Sequence, residues 1–256
     1  MTEGFVFIVG AGPGDPDLIT VKGLKAIQSA DVLLYDRLAA KELIQHTRKQ
    51  CEKIYVGKQP GGHRTTQEEI HELLLSKARQ GKIVTRLKGG DPMIFGRGAE
   101  EAHALSSAGV RYEIIPGISS GSAVPTAVGI PLTFRGISQS VTFVTGHAQD
   151  ERLEPNWRAL AQATDTLVIY MGVAKSESIT TQLSEGGLST LTPAAIIQWG
   201  TTEKQKTVIT TLGDLPEAIQ TDEIQAPAII IIGQVVSCAV TRDSIAEKAF
   251  DHQASL

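Results

Sequence analysis

Short apolar runs bounded by Gly, Asp or other turn residues recur along this chain, at residues 5–9, 32–35, 83–87 (with polar interruptions), 112–115, 167–171, 194–197 and 228–232. A strand that is apolar on both faces has to be covered on both, which calls for a largely parallel sheet with helices packed over it. The segments between the runs carry helical patterns suited to that covering. The clearest is 66–79, where Thr66 and Glu69 form a T-x-x-E capping box and Ile70, Leu73, Leu74 and Ala78 make one apolar stripe. Strand alternating with helix predicts the α/β class.

Two such domains fit the chain. Its 256 residues exceed the ~150 used as a guide for one domain, and the pattern changes partway along. One strand–helix series ends near Pro116-Gly117, and a Gly/Ser/Pro-rich stretch covers 117–129. From about Gln139 strands become denser, with Thr, Val and Ile enriched and a turn at Glu185-Gly186-Gly187. The reading is an N-terminal α/β domain over 1–115, a C-terminal α/β domain over 116–245 and a tail over 246–256. A small ligand is expected in a cleft between the two, where such sites concentrate.

Composition narrows the function classes. With 41% hydrophobic and 20% charged residues, the chain can bury an ordinary core and differs from disordered sequence. A formal charge of −4 argues against a nucleic-acid partner. Residues 1–100 nevertheless hold 15 Lys/Arg against 12 Asp/Glu, while the remainder holds 9 against 16. An anionic small molecule is therefore expected at the first part. Cys51 and Cys238 stand far apart, and the six histidines form no HxxxH or HxE pair, so neither a disulfide framework nor a metal site is expected. No apolar run exceeds five residues, against the roughly 20 of a membrane-spanning helix. The N-terminus also lacks a signal-peptide pattern. A reducing, cytoplasmic setting without a membrane partner is expected.

Several loops carry candidate chemistry. Gly10-Ala11-Gly12-Pro13-Gly14-Asp15-Pro16 follows the first strand directly and invites a nicotinamide or flavin dinucleotide reading, with Asp36 in the place of a ribose-binding acid. The G-x-G-x-x-G fingerprint needs a third small residue where Asp15 stands, and Pro13 removes a backbone N–H. A nicotinamide-dependent oxidoreductase is thus the weaker alternative, and Asp36 a decoy for it. Gly89-Gly90-Asp91-Pro92 leads into Phe95-Gly96-Arg97-Gly98 ahead of a helix. Its glycines permit close backbone approach, and Asp91 either accepts from a ligand or closes an Asx turn. Gly117-Ile118-Ser119-Ser120-Gly121 matches the G-x-S-x-G of a hydrolase elbow. Only His147 and His252 lie downstream of it, neither well placed, so a Gly/Ser loop holding a polar ligand fits better. Tyr170-Met171-Gly172 ends another run, where a lone Met ordinarily fills core.

Taken in order, these loops resemble one family. Gly-Ala-Gly-Pro-Gly-Asp at 10–15, Tyr35-Asp36-Arg37-Leu38, Val56-Gly57-Lys58, Gly89-Gly90-Asp91-Pro92 with Phe95-Gly96-Arg97-Gly98, Pro116-Gly117-Ile118-Ser119-Ser120, Thr145-Gly146-His147 and Tyr170-Met171-Gly172 are similar to the tetrapyrrole methyltransferases, over about 5–236. The resemblance implies a two-domain α/β fold, a homodimer, and S-adenosylmethionine held in the cleft between domains. It carries cofactor contacts to Pro13, Gly89, Gly90, Asp91, Ile94, Ser119, Ser120, Met171 and Gly200, the last in Gln198-Trp199-Gly200-Thr201, with Ala228 a weaker match. It carries a proton acceptor to Asp36 and a proton donor to Lys58. Ser119 stands where many members have Thr and keeps the hydroxyl.

The implied reaction moves two methyl groups, to C2 and C7 of uroporphyrinogen III, giving precorrin-2 and two S-adenosylhomocysteines for sirohaem or cobalamin synthesis. Tyr-Asp-Arg-Leu and Val-Gly-Lys favour that branch over another precorrin methyltransferase. No dehydrogenase and ferrochelatase domain precedes the chain, so methylation alone is expected. The substrate is a polycarboxylate, and Arg37, Arg64, Lys88, Arg97 and Arg135, with Lys58, are the cations expected to receive it.

Overall fold

The computed structural model describes residues 4–57, 65–147 and 153–240. The chain divides into two compact units between Ser120 and Gly121, each with one five-stranded sheet.

In the first unit β1 (Phe5–Gly10), β2 (Val32–Tyr35), β3 (Glu52–Tyr55), β4 (Ile83–Lys88) and β5 (Tyr112–Ile115) pair in the order β3-β2-β4-β1-β5. Every pairing is parallel. Helices α1 (Val21–Ser29) and α2 (Lys41–Gln45) cover one face, packing Ile27 and Leu43 over Leu33 and Leu87. Helices α3 (Gln67–Arg79) and α4 (Gly98–Ser107) cover the other, with Ile70, Leu74 and Leu105 over Val6, Ile8, Leu34 and Val84. Both faces being covered is why these strands read as unbroken apolar runs. The capping box forms as its spacing predicts: Thr66 Oγ1 accepts from Glu69 N at 3.1 Å, and Glu69 Oε2 from Thr66 N at 2.7 Å. Strand β3 was not legible as an apolar run because it is an edge strand whose Glu52 and Lys53 are exposed.

The second unit follows from α5 (Ser120–Ala127) through β6 (Val141–Thr145), α6 (Trp157–Ala163), β7 (Thr166–Tyr170), α7 (Ser176–Glu185), β8 (Pro193–Gln198), β9 (Lys206–Thr211), α8 (Leu215–Thr221) and β10 (Ala228–Ile232). The order is β6-β7-β10-β8-β9, and here the expectation of a largely parallel sheet is corrected. Only β6 and β7 run parallel, while β7–β10, β10–β8 and β8–β9 are antiparallel. Burial on both faces makes β10 read Ala-Ile-Ile-Ile-Ile whichever way it points, so the apolar pattern carries no direction. The β8–β9 connection is also too short for the crossover a parallel pair needs. The core sets Leu167, Ile169, Ile196 and Ile230 against Trp157, Ile179, Leu183 and Leu215.

The division lies past the compositional shift at Pro116-Gly117 because Gly117 is seated against the first unit. A Cβ on it would stand 2.3 Å from the Gly90 carbonyl oxygen and 2.7 Å from Gly10 Cα. The tail at 246–256 lies outside the described residues, among which no helix is long and apolar enough to cross a membrane.

Candidate active site

Parallel strands deliver all their C-terminal ends to one edge of the first sheet. That edge gathers the glycine loop after β1, Asp36 after β2, Gly89-Gly90-Asp91 after β4 and the 116–120 segment after β5. Strands β1 and β4 are neighbours, yet the chain leaves β1 toward β2 on one side and leaves β4 toward β5 on the other. Such a switch point opens a crevice outside the strand ends.

Two loops flank that point and are laced together. Ala11 N donates to Lys88 O at 2.7 Å, Gly90 N to Gly12 O at 2.6 Å and Gly12 N to Gly90 O at 3.3 Å. Gly90 has φ +68, and a Cβ there would find as its nearest neighbours Ser120 N at 3.8 Å and Ser119 Cα at 4.0 Å. Gly90 thus offers bare backbone beside the Ser119-Ser120 backbone, with room left between them, a cradle suited to a ligand with both polar and apolar parts. Pro13 and Ile94 are half-buried nearby in sequence on the same two loops, and Ser119 is buried. Asp91 closes the Asx turn its sequence permits: Oδ1 accepts from Met93 N at 2.8 Å and Oδ2 from Gly117 N at 3.1 Å. Its carboxylate therefore clamps the loops after β4 and β5. Phe95 and Arg97 hold φ +50 and +58, backbone strain of the kind concentrated at functional sites.

The same geometry disposes of two competing readings. After β1 the chain enters a 3-10 turn, Pro16–Leu18, capped by Asp15, and α1 begins only at Val21 behind its own Thr20 cap. Among the described residues no α-helix begins directly at the end of the glycine loop, so it lacks the pyrophosphate site of a dinucleotide fold. Ser119 is 7% exposed, whereas an elbow nucleophile must stand clear of the fold.

Asp36 sits at the same edge, 25% exposed in its side chain. Oδ1 accepts from Leu38 N at 3.0 Å and Oδ2 from Arg86 Nη2 at 3.3 Å. Behind it lies a buried ionic cluster: Lys88 Nζ donates to Glu101 Oε1 at 2.7 Å and Arg86 Nε to the same oxygen at 3.3 Å. Burial alone would push the Glu101 carboxyl up, but the Arg86 and Lys88 charges, with hydrogen bonds from Lys88 and Gln67, hold it below the ordinary carboxylate value. Burial, helped by the like charge of Arg86, takes Lys88 below the ordinary lysine value against the pull of Glu101.

The expected substrate cations separate. Arg37 is exposed beside Asp36, and Arg97 is exposed and paired with Glu100 at 2.7 and 2.9 Å. Lys88 departs from expectation: it is 4% exposed and its ammonium is committed to Glu101, so it is an interior counter-ion rather than a surface cation. Lys58 and Arg64 lie outside the described residues. Arg135 belongs to the second unit, on an exposed turn closed by the Phe134–Ser138 bridge.

In the second unit one sheet edge collects residues from distant segments. Thr145 pairs with Tyr170, Tyr170 with Ile229 and Ala228 with Gln198, so Met171, Gly200 and Ala228 all fall at that edge. Met171 is 48% exposed at φ +55 and does not fill core. Gly200 is flanked by Trp199 and Thr201 at φ +48 and +65, and a Cβ on it would stand 2.4 Å from Val124 Cγ1. Tyr170 Oη accepts from Gly121 N at 2.8 Å, tying the end of β7 to the start of α5. Among the described residues no cluster of His, Cys, Asp and Glu is arranged to hold a metal ion.

Arg86 and Glu101 were missed from sequence, although a signal existed. Arg86 and Lys88 alternate with Thr85 and Leu87 in an otherwise apolar strand, and charges inside a covered sheet demand a buried partner.

The family model for tetrapyrrole (corrin/porphyrin) methylases matches residues 6–216. The chain is 52% identical over 235 residues to a uroporphyrinogen-III C-methyltransferase of Bacillus subtilis (strain 168), covering 91% of each. It is 48% identical over 236 residues to a siroheme synthase of Chromobacterium violaceum, covering 92% of this chain and 50% of that one. Among solved structures, a uroporphyrin-III C-methyl transferase from Thermus thermophilus complexed with S-adenosylhomocysteine superposes with a TM-score of 0.79 at 39% identity, covering 92% of this chain and all of the other.

Proposed function

The chain belongs to the tetrapyrrole (corrin/porphyrin) methylases, and from that premise we propose that it is an S-adenosylmethionine-dependent C-methyltransferase acting on uroporphyrinogen III. It methylates C2 and C7 to give precorrin-2, releasing two S-adenosylhomocysteines, in porphyrin-derived cofactor synthesis. The observation that carries the reading is the glycine cradle at the β1–β4 switch point with Asp36 on the same edge.

The cradle suits the cofactor. An open left-handed glycine, the Ser119 and Ser120 backbone and the half-buried Ile94 combine backbone polar groups with apolar surface, as a nucleoside joined to an amino acid requires. Pro13, Gly89, Gly90, Asp91, Ile94, Ser119 and Ser120 hold it from the first unit's loops. S-adenosylmethionine, when bound, supplies an electrophilic sulfonium methyl, so no covalent nucleophile is needed from the chain. The protein's part is alignment, which reaches about 7–11 kcal/mol in the best intramolecular cases, together with proton management. Asp36 accepts a macrocycle proton through its partly exposed carboxylate, and Lys58 makes the opposite transfer. Arg37, Arg64, Arg97 and Arg135 receive the substrate carboxylates, for which a planar guanidinium is suited. The enzyme works as a homodimer in the cytoplasm.

Incubation with uroporphyrinogen III and labelled S-adenosylmethionine, followed by mass spectrometry of the tetrapyrrole, is expected to find two added methyls. A tetrapyrrole without added methyl, or transfer only to an already methylated precorrin, would sink the reading in favour of another activity of the family.

A further inference from the structure

Strand β4 changes character along the face it turns toward α3 and α4. Val84 is core, while Arg86 and Lys88 on the same face bring charges into the interior, each 4% exposed. Their counter-ion is Glu101 from the first turns of α4, itself fully buried. Its Oε1 receives Lys88 Nζ at 2.7 Å, Gln67 Nε2 at 3.2 Å and Arg86 Nε at 3.3 Å, while Oε2 has no hydrogen-bond partner. The Arg86 guanidinium is shared three ways: Nε to Glu101, Nη1 to Leu87 O at 2.9 Å, and Nη2 outward to Asp36 Oδ2 at 3.3 Å.

We infer that Glu101 is a positioning residue for Asp36, acting through Arg86. The inference rests on the reading of Asp36 as proton acceptor. A guanidinium presents its donors in a rigid plane, so once Glu101 and the Leu87 carbonyl hold two of its nitrogens, the direction of the third is set. Asp36 then receives one long hydrogen bond at a fixed place, with Leu38 N fixing its other oxygen. The cluster balances two buried cations with one buried and one edge carboxylate. Without the Glu101 charge, Asp36 is the remaining anion for Arg86, and the guanidinium turns to it in a closer pair that occupies the lone pairs the substrate needs. The carboxylate in the interior therefore keeps the carboxylate at the edge available.

The test is a double-mutant cycle in the methyl-transfer assay, with S-adenosylhomocysteine affinity measured by calorimetry. Glu101→Gln is expected to lower kcat about tenfold or more, with KM for S-adenosylmethionine and affinity for S-adenosylhomocysteine within about twofold of the parent. In an Asp36→Asn background the same change is expected to alter kcat by less than about twofold, the non-additivity of residues acting as one unit. Glu101→Asp keeps the charge but shortens its reach, and is expected to slow turnover in the Asp36 background alone. Parent-like kcat in both Glu101 variants, or an equal loss with and without Asp36, overturns the inference. Loss of S-adenosylhomocysteine binding in both variants also overturns it, since Glu101 then serves folding. A slowed Asp36→Asn beside unaffected Glu101 variants removes this inference alone, whereas parent-like turnover by Asp36→Asn removes the proton-acceptor reading with it.

Discussion

Gly90 and Gly117 are close together yet predict opposite consequences of one added methyl. At Gly90 a Cβ would meet nothing nearer than 3.8 Å, so Gly90→Ala suffers only the left-handed φ of +68, about 1–2 kcal/mol. The protein is expected to fold with a lowered melting temperature and weakened S-adenosylhomocysteine binding by calorimetry, and Gly90→Val to lose that binding. Unchanged affinity in Gly90→Val would remove the cradle from the cofactor site. At Gly117 the same methyl would stand 2.3 Å from a backbone oxygen, so Gly117→Ala is expected to yield little folded protein, as circular dichroism would report. On the proposed reading of Asp36 as proton acceptor, Asp36→Asn should lower turnover while leaving S-adenosylhomocysteine affinity near the parent value.

Individual elements show which interactions hold structure and which serve the site. Helix α3 is closed by a reciprocal cap between Thr66 and Glu69, so Thr66→Ala should cost about 1 kcal/mol, read as a shift in the urea midpoint with methyl transfer per folded molecule unchanged. A midpoint equal to the parent's would mean that α3 is held by its packed face of Ile70, Leu74 and Ala78. Strand β4 does the opposite kind of work. Its Thr85 and Leu87 pack toward α1 and α2, while Arg86 and Lys88 form the buried ionic cluster with Glu101, from which Arg86 reaches out to Asp36. The capping box, the strand runs and the order of the glycine loops were all readable because each depends on residues adjacent in sequence. The pairing of Arg86 with both Glu101 and Asp36 was not, because its partners come from a helix and a strand end distant along the chain.

The molecule as a whole should reveal its buried ions through pH. Glu101 titrates below its ordinary value when folded, so its contribution is present above about pH 4.3 and is lost as pH falls through the folded value. Lys88 is also lowered; between its folded value and the ordinary lysine value the unfolded chain binds more protons, so stability rises with pH across that alkaline window. Denaturation midpoints should therefore fall on acidification, and Glu101→Gln should flatten that acid limb; an equally steep limb in the variant would show that other carboxylates cause it. The uneven charge along the chain bears on the substrate as well. If arginines receive the substrate carboxylates as proposed, KM for the polycarboxylate should rise with salt as screening shortens to about 10 Å at 0.1 M, while S-adenosylhomocysteine affinity moves little. By itself the sequence determined the α/β class, the strands with both faces covered and the glycine loops at the strand ends, since all are written in local periodicity and adjacent motifs. Only the tertiary structure decided that the second sheet is mainly antiparallel, that Lys88 faces inward and that Met171 is exposed at positive φ. Strand direction, burial of a charge and the partner of a side chain are set by which distant segments meet, and local pattern holds no record of that.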